Sequence, residues 1–322
     1  VVEGYIHGVH TQTTFVAEGP VSDKWTAAGS PYYIEGHVSI ADGDSLVIGP
    51  GVRIGVRGPY HFDVQGKIMA EGNSENTILF SSSHPNLWWD GLDYNQTPTS
   101  NGGSVFDHCV FQYGYAQGTI TKFNCGGAFA IVDFDNIGIY NSTFRHNKAD
   151  ISGYYPPSGG AIAFENSDLT IEKCTFYDNN SEYGGAVFAY SHANPVISNN
   201  LFYENEAVHG GAVCYYEYCS GIVINNTIAE NTADYGGALY FYLQSAPMLT
   251  NNILWGNVGH LFGSQAYFTS SMNPGFYYNN IQDGLNGFSG YFSGDYLFNI
   301  EDNPDFTVNQ EEPPYMIGEE SP

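Results

Sequence analysis

Positive charge is what this 322-residue chain has least of: Lys and Arg together number 8, Asp and Glu 34, and the formal net charge is −26. Beyond Lys173 there is no Lys or Arg at all. So few cations cannot displace the counterions condensed on phosphates, which sets nucleic acid aside as a partner. An anionic membrane surface is disfavoured on the same ground. No apolar run approaches the roughly 20 residues that cross a bilayer, so membrane insertion is not expected. Cysteine is sparse: Cys109, Cys125, Cys174, Cys214 and Cys219 are an odd five, too few for a disulfide framework in so long a chain. Helical spacing with caps is missing, which argues against helical repeats. Aromatic residues are plentiful: 4 Trp, 26 Tyr and 21 Phe rule out a disordered acidic tail. The chain begins at Val1 rather than Met, which reads as a processed or trimmed start with any signal peptide gone. Low lysine, abundant Asn, Tyr and Gly, and strong acidity suit an extracellular or cell-surface location.

The main signal is a repeat. Gly-Gly-Ala followed by an apolar residue occurs at Gly126–Phe129, Gly159–Ile162, Gly184–Val187, Gly210–Val213 and Gly236–Leu239, with spacings of 33, 25, 26 and 26. A second series, apolar-x-x-Asn, runs through Phe144/Asn147, Phe176/Asn179, Phe202/Asn205, Ile228/Asn231 and Leu254/Asn257. A third column, two residues before those apolar positions, is Ser142, Cys174, Asn200, Asn226 and Asn252, with Cys109 as an earlier member. The segments between markers are short and β-rich, separated by Gly, Asn, Asp and Ser. Three short strands and three turns per period make one coil of an all-β solenoid. Coils stacking at ~4.8 Å bury a continuous core that no single coil could. The expected fold is a right-handed parallel β-helix, its hand following the crossover rule for parallel strands.

The paired signatures Gly159-Gly160-Ala161-Ile162 and Phe144-x-x-Asn147, with their copies, resemble the repeats of the chlamydial polymorphic outer-membrane proteins and of other secreted bacterial β-helix repeat proteins. The stretches Ser30–Ile34 and Ile48–Val52 look like the opening coils of such proteins, and Asn303–Phe306, running on to Pro322, like their exit segment. The resemblance implies a surface location and a range of roles that includes adhesins and carbohydrate binders. The boundaries drawn are a cap or lead-in at 1–29, the β-helix at 30–300, and an acidic tail or linker at 301–322. Trp88–Gly103 and Ser152–Ser158 read as polar loops, and the repeat fades after Gly259.

β-Helices often carry polysaccharide lyases and hydrolases, so catalysis is the rival expectation. A lyase needs a basic residue to take a proton from the uronate, and the basic residues of the repeats are Arg145, Lys148 and Lys173. Surface ion pairing accounts for the same three. A hydrolase wants carboxylates on one strand face in adjacent coils. Asp133 and Asp135 share a face by spacing, but only Glu165 follows near that register. His209 and His260 read as turn residues. For metal, the β-roll nonapeptide and EF-hand spacings are absent, leaving Glu301, Asp302 and Asp305 as an acidic group for structural calcium. No organic cofactor is implied. Cys109 and Cys174 fall two coils apart, about 9.6 Å, too far for a disulfide, and Cys214 and Cys219 could close a turn, but the favoured reading of all five is as small buried or ladder residues.

The aromatic pattern carries the functional expectation. Aligned on Gly-Gly, Tyr190, Tyr216 and Tyr242 form one column, and Phe188, Cys214 and Tyr240 the column two residues before it. Strand alternation puts both on the face opposite Val187, Val213 and Leu239. If the valines face the core, the tyrosines form an outward strip with rings about 4.8 Å apart, suited to the apolar faces of sugars. A stacking ladder that only stabilises the solenoid is the alternative. The expected function is a non-catalytic extracellular module binding polysaccharide or another cell-surface component. An extracellular lyase or hydrolase and a self-assembling filament or layer subunit are the alternatives.

Overall fold

A computed structural model describes residues 13–84, 87–117, 125–150 and 159–304. Among these the chain is all-β, with short 3₁₀ turns at Ala27–Gly29, Thr99–Asn101 and Gly284–Gly287. Three parallel sheets of eleven strands run the length of the solenoid, and a fourth has six. Sheet 1 extends from Thr14–Val16 to Asn280–Ile281, sheet 2 from Gly19–Pro20 to Phe288–Phe292, and sheet 3 from Asp23–Trp25 to Tyr296–Leu297. Sheet 4 begins only at Tyr115–Ala116 and ends at Val258–Phe262. One full coil reads Thr175–Tyr177 (sheet 1), Asn180–Tyr183 (sheet 4), Val187–Tyr190 (sheet 2) and Val196–Ser198 (sheet 3). Leu201–Tyr203 then pairs in parallel with Thr175–Tyr177. The fold is a right-handed parallel β-helix.

The sequence columns are physical stacks. Phe111, Phe144, Phe176 and Phe202 are buried in the core with successive ring centroids 4.9, 4.8 and 4.7 Å apart. Each ring meets its copy one coil on because parallel register places identical positions above one another. The asparagines form ladders in the turns. Asn205 Nδ2 donates to Asn231 Oδ1 at 2.9 Å and to the Phe176 carbonyl at 2.9 Å, while its own Oδ1 accepts from Asn179 Nδ2 at 2.9 Å. The other ladder runs Asn200–Asn226–Asn252–Asn279–Asn299. These bonds satisfy backbone groups that the turns withdraw from both water and the sheets. Before each Asn of this second ladder stands a left-handed residue, among them Asn199 (φ 58°), Asn225 (58°) and Asn251 (55°), a conformation Asn tolerates best of the non-glycine residues.

Gly-Gly turns the chain from sheet 4 into sheet 2. Gly184 has φ +65°, and a Cβ on Gly185 would lie 2.2 Å from the Gly211 carbonyl oxygen. The first glycine supplies the dihedral and the second the close approach of coils.

Two boundaries differ from the sequence reading, and the coils outlast the visible repeat. The solenoid starts inside the expected cap, because Thr14–Val16, Gly19–Pro20 and Asp23–Trp25 already pair with the next coil. Within the expected polar loop Trp88–Gly103, Leu92–Asn95 is a sheet 2 strand whose Leu92 and Tyr94 are fully buried. The coils also continue past Gly259: Gly263 takes the place of Gly236, and Asn279 and Asn299 extend the ladder. Residues 152–158 and 305–322 lie outside the described residues.

Candidate functional site

The valine column does face the core: Val187, Val213 and Leu239 are buried there. The column beside it points outward yet is buried too. Phe188 and Cys214 are 2% and 0% exposed, and Tyr240 5%, in a second apolar cluster separate from the core. Their cover comes from sheet 4. Tyr183, His209 and Tyr235 end successive sheet 4 strands and stack face to face, with centroids 4.3 and 5.2 Å apart. The Tyr183 ring reaches across the corner to Phe188, Tyr216 and Tyr240 at 6.3, 5.6 and 6.2 Å. Two rows of rings thus face one another across a re-entrant corner, with Phe188, Cys214 and Tyr240 as its floor. Tyr190, Tyr216 and Tyr242 form the outer rim and are half-exposed. The rim is not one flat ladder. Tyr216 stacks on Tyr242 at 4.2 Å and 22°, but Tyr190 is tilted 59° to Tyr216 at 5.8 Å.

Burial pushes the Tyr183 hydroxyl up to about 12, and it raises those of Tyr216 and Tyr240 as well. All three therefore keep an O–H to donate at neutral pH. Burial also lowers the pKa of His209, whose Nδ1 is buried without a hydrogen-bond partner. His209 is thus part of the ring wall rather than the turn residue expected from its isolation. One signal for this wall was present in the sequence: Tyr183, His209 and Tyr235 each stand immediately before Gly-Gly.

The basic residues do not converge. Arg145 is buried in sheet 1 and donates to Gln112 Oε1 and the Tyr177 hydroxyl, both at 2.8 Å. Lys148 is in sheet 4, paired with Asp150 at 3.2 Å and over the Tyr115 ring. Lys173 occupies a left-handed turn position after sheet 3, exposed and 3.3 Å from Glu172. Arg145 works as a structural tie and the lysines as surface charges, so the three make no proton-abstracting centre. Asp133 and Asp135 lie in a turn rather than on a strand, accepting hydrogen bonds from Asn166 Nδ2 and the Asp168 amide. All five cysteines are buried, and Cys214 and Cys219 are not bonded to each other. Of the acids expected to hold calcium, Glu301 and Asp302 are exposed and Asp305 lies outside the described residues. Among the described residues no group of three or more His, Cys, Asp or Glu is arranged to hold a metal ion.

The structure brings together a set that the sequence reading did not. The floor column of sheet 2 continues toward the N-terminus from Phe188 through Ala163, Ala130 and Asp93 to Asp63, all in register. Here a cavity of about 260 Å³ is lined by His61, Asp90, Asp93 and Cys125 with the small residues Ala116, Gly126 and Ala130. His61 Nδ1 lies 3.7 Å from Asp90 Oδ2, and its ring lies 4.2 Å from that of His37, tilted 45° to it. Asp90 holds the His61 pKa up against its burial, whereas burial and then the His61 charge lower that of His37.

A family model described as right handed beta helix region matches residues 97–239. A search of curated proteins finds no match. Solved structures yield none either. The match spans less than half of the chain, and with the stacked parallel sheets it supports the right-handed parallel β-helix fold.

Proposed function

We propose that this protein is an extracellular or cell-surface β-helix module that binds a glycan along the ring-lined corner between sheets 2 and 4. The observation that carries this reading is the pair of facing aromatic rows, Tyr183–His209–Tyr235 and Tyr190–Tyr216–Tyr242, over a floor of Phe188 and Tyr240. Sugar rings present apolar C–H faces to aromatic planes, and the tyrosine hydroxyls offer donors to sugar oxygens. A chain with net charge −26 repels polyuronates, so a neutral polysaccharide is the favoured ligand class. The likeness of the repeats to those of bacterial surface proteins supports the location. The reading calls for no organic cofactor.

The test is affinity electrophoresis through gels containing a mixed-linkage β-glucan, a mannan, a xylan or a polygalacturonate. Retardation by a neutral glycan, lost in Tyr216→Ala, is the expected result. If no gel retards the wild type, the rings serve only as a stability ladder and the glycan reading falls.

A further inference from the structure

The aromatic corner and the His61 cavity share one column of sheet 2. Five register steps, Asp93–Ala130–Ala163–Phe188–Cys214–Tyr240, join them. At ~4.8 Å per step the column is about 24 Å long, the scale of an oligosaccharide. At 260 Å³ the cavity is smaller than the roughly 300–1,000 Å³ of sites for drug-sized ligands. It has room for one sugar ring of a bound chain. What lines it has chemistry that the corner lacks. Asp93 is a carboxylate, and His61 is an imidazole whose Nδ1 is engaged by Asp90, which leaves Nε2 as the nitrogen able to meet a ligand. Asp63 stands one coil from Asp93 on the same face, held by Gln65 Nε2 at 3.4 Å.

We propose that this cavity is a hydrolytic centre, cutting the neutral glycan that the aromatic corner holds, with His61 as proton donor and Asp93 as general base. The inference rests on the glycan reading above and departs from the expectation of a non-catalytic module. Asp93 takes a proton from water as the water oxygen bonds to the anomeric carbon. The glycosidic C–O bond breaks, and its electron pair goes to the leaving oxygen, which receives the proton of His61. One water is consumed, and a new reducing end and a free hydroxyl are formed. Protonated Asp93 and neutral His61 then exchange protons with solvent and return to their starting states. Asp90 is a positioning residue: its charge orients the imidazole and keeps it protonated. His37 lies beside the ring, 4.2 Å between centroids, with Asp90 and Glu18 near it. The surrounding carboxylates Asp63, Asp90 and Asp93 favour a positive charge developing on the sugar and reject a uronate.

The full chain is incubated with the same four polysaccharides, and reducing ends and unsaturated uronates are both measured. Reducing ends should accumulate from the neutral glycan that retards the chain. Asp93→Asn and His61→Gln should each slow release by about 10²–10⁴-fold while leaving retardation as in the wild type. The wild-type rate should fall as pH rises through the raised His61 pKa. Retardation without reducing ends overturns the hydrolytic proposal and leaves the glycan reading standing. Unsaturated uronates from polygalacturonate overturn it in favour of elimination. Neither retardation nor product from any polysaccharide overturns both.

Discussion

The outer face of sheet 2 is built differently at its two ends. From Phe188 to Tyr267 it carries rings, and sheet 4 rises beside it to make a corner. From Asp63 to Ala163 it carries carboxylates and small side chains, and sheet 4 starts only at Tyr115–Ala116. The core behind it hardly changes, since the phenylalanine stack of sheet 1 continues through both regions from Phe80 to Phe202. A solenoid thus separates its obligations. The inward residues must repeat because each coil is the surface on which the next is built. The outward residues are free to vary, and this chain divides them into an aromatic half and a polar half.

The comparison can be broken most severely at the glycines. Gly185→Ala should destabilise by about 2–4 kcal/mol, because its Cβ meets a carbonyl at 2.2 Å. Gly49→Ala, in an early coil with only the Trp25 carbonyl at 3.6 Å, should stay within about 0.5 kcal/mol. Denaturant midpoints of the two variants decide this. A smaller difference is expected between asparagines. Asn205→Ala leaves buried partners on both sides unsatisfied and should cost about 1–3 kcal/mol. Asn76→Ala, in an exposed early turn, should cost well under that. Equal losses would remove the distinction between ladder and turn.

The opposite pKa shifts of His61 and His209 sharpen the contrast between the two regions. His209 has a folded pKa below the usual 6.5, so its contribution is full above 6.5 and is lost as pH falls through the lowered value. His61 has a folded pKa above 6.5, so its contribution is full below 6.5 and is lost as pH rises through the raised value. His209→Phe should therefore stabilise the protein relative to wild type on acidification, and His61→Gln should cost most at acid pH. Thermal transitions at about pH 5 and pH 8 read both signs. The smallest effect on the fold is expected at the rim. Tyr216→Ala should lower affinity for the retarding glycan about tenfold, or 1.4 kcal/mol, with little change in the unfolding temperature. A loss of stability without a loss of affinity would make the rim structural.

Much of this was legible in the sequence. Gly184, Gly210 and Gly236 mark the turn into sheet 2, and the Asn147 and Asn200 series predict the two ladders. The inward set of Val187, Val213 and Leu239 follows from strand alternation. Legibility ended where the period did. Phe62, Leu92 and Phe129 are register partners, yet they are 30 and then 37 residues apart. Counting from the Gly-Gly marks therefore left Asp93 in a supposed loop and never placed it beside Asp63. His209 looked solitary because the rings that sandwich it lie 26 residues away on either side, immediately before Gly-Gly rather than after it.

The sequence by itself determined the stacking, because a strict repeat places residue i on residue i+26, and like side chains then meet through parallel hydrogen bonding. Only the tertiary structure decided which outward residues are exposed. That depends on the angle at which sheet 4 meets sheet 2 and on where sheet 4 begins. The angle is set by left-handed glycines such as Gly184, and the beginning by coils of unequal length. The glycines recur, but the angle they impose is not written in their spacing, and the coil lengths do not recur, so neither quantity could be counted along the chain. The burial of Phe188 under Tyr183, and the meeting of His61 with Asp90 and Asp93, follow from them.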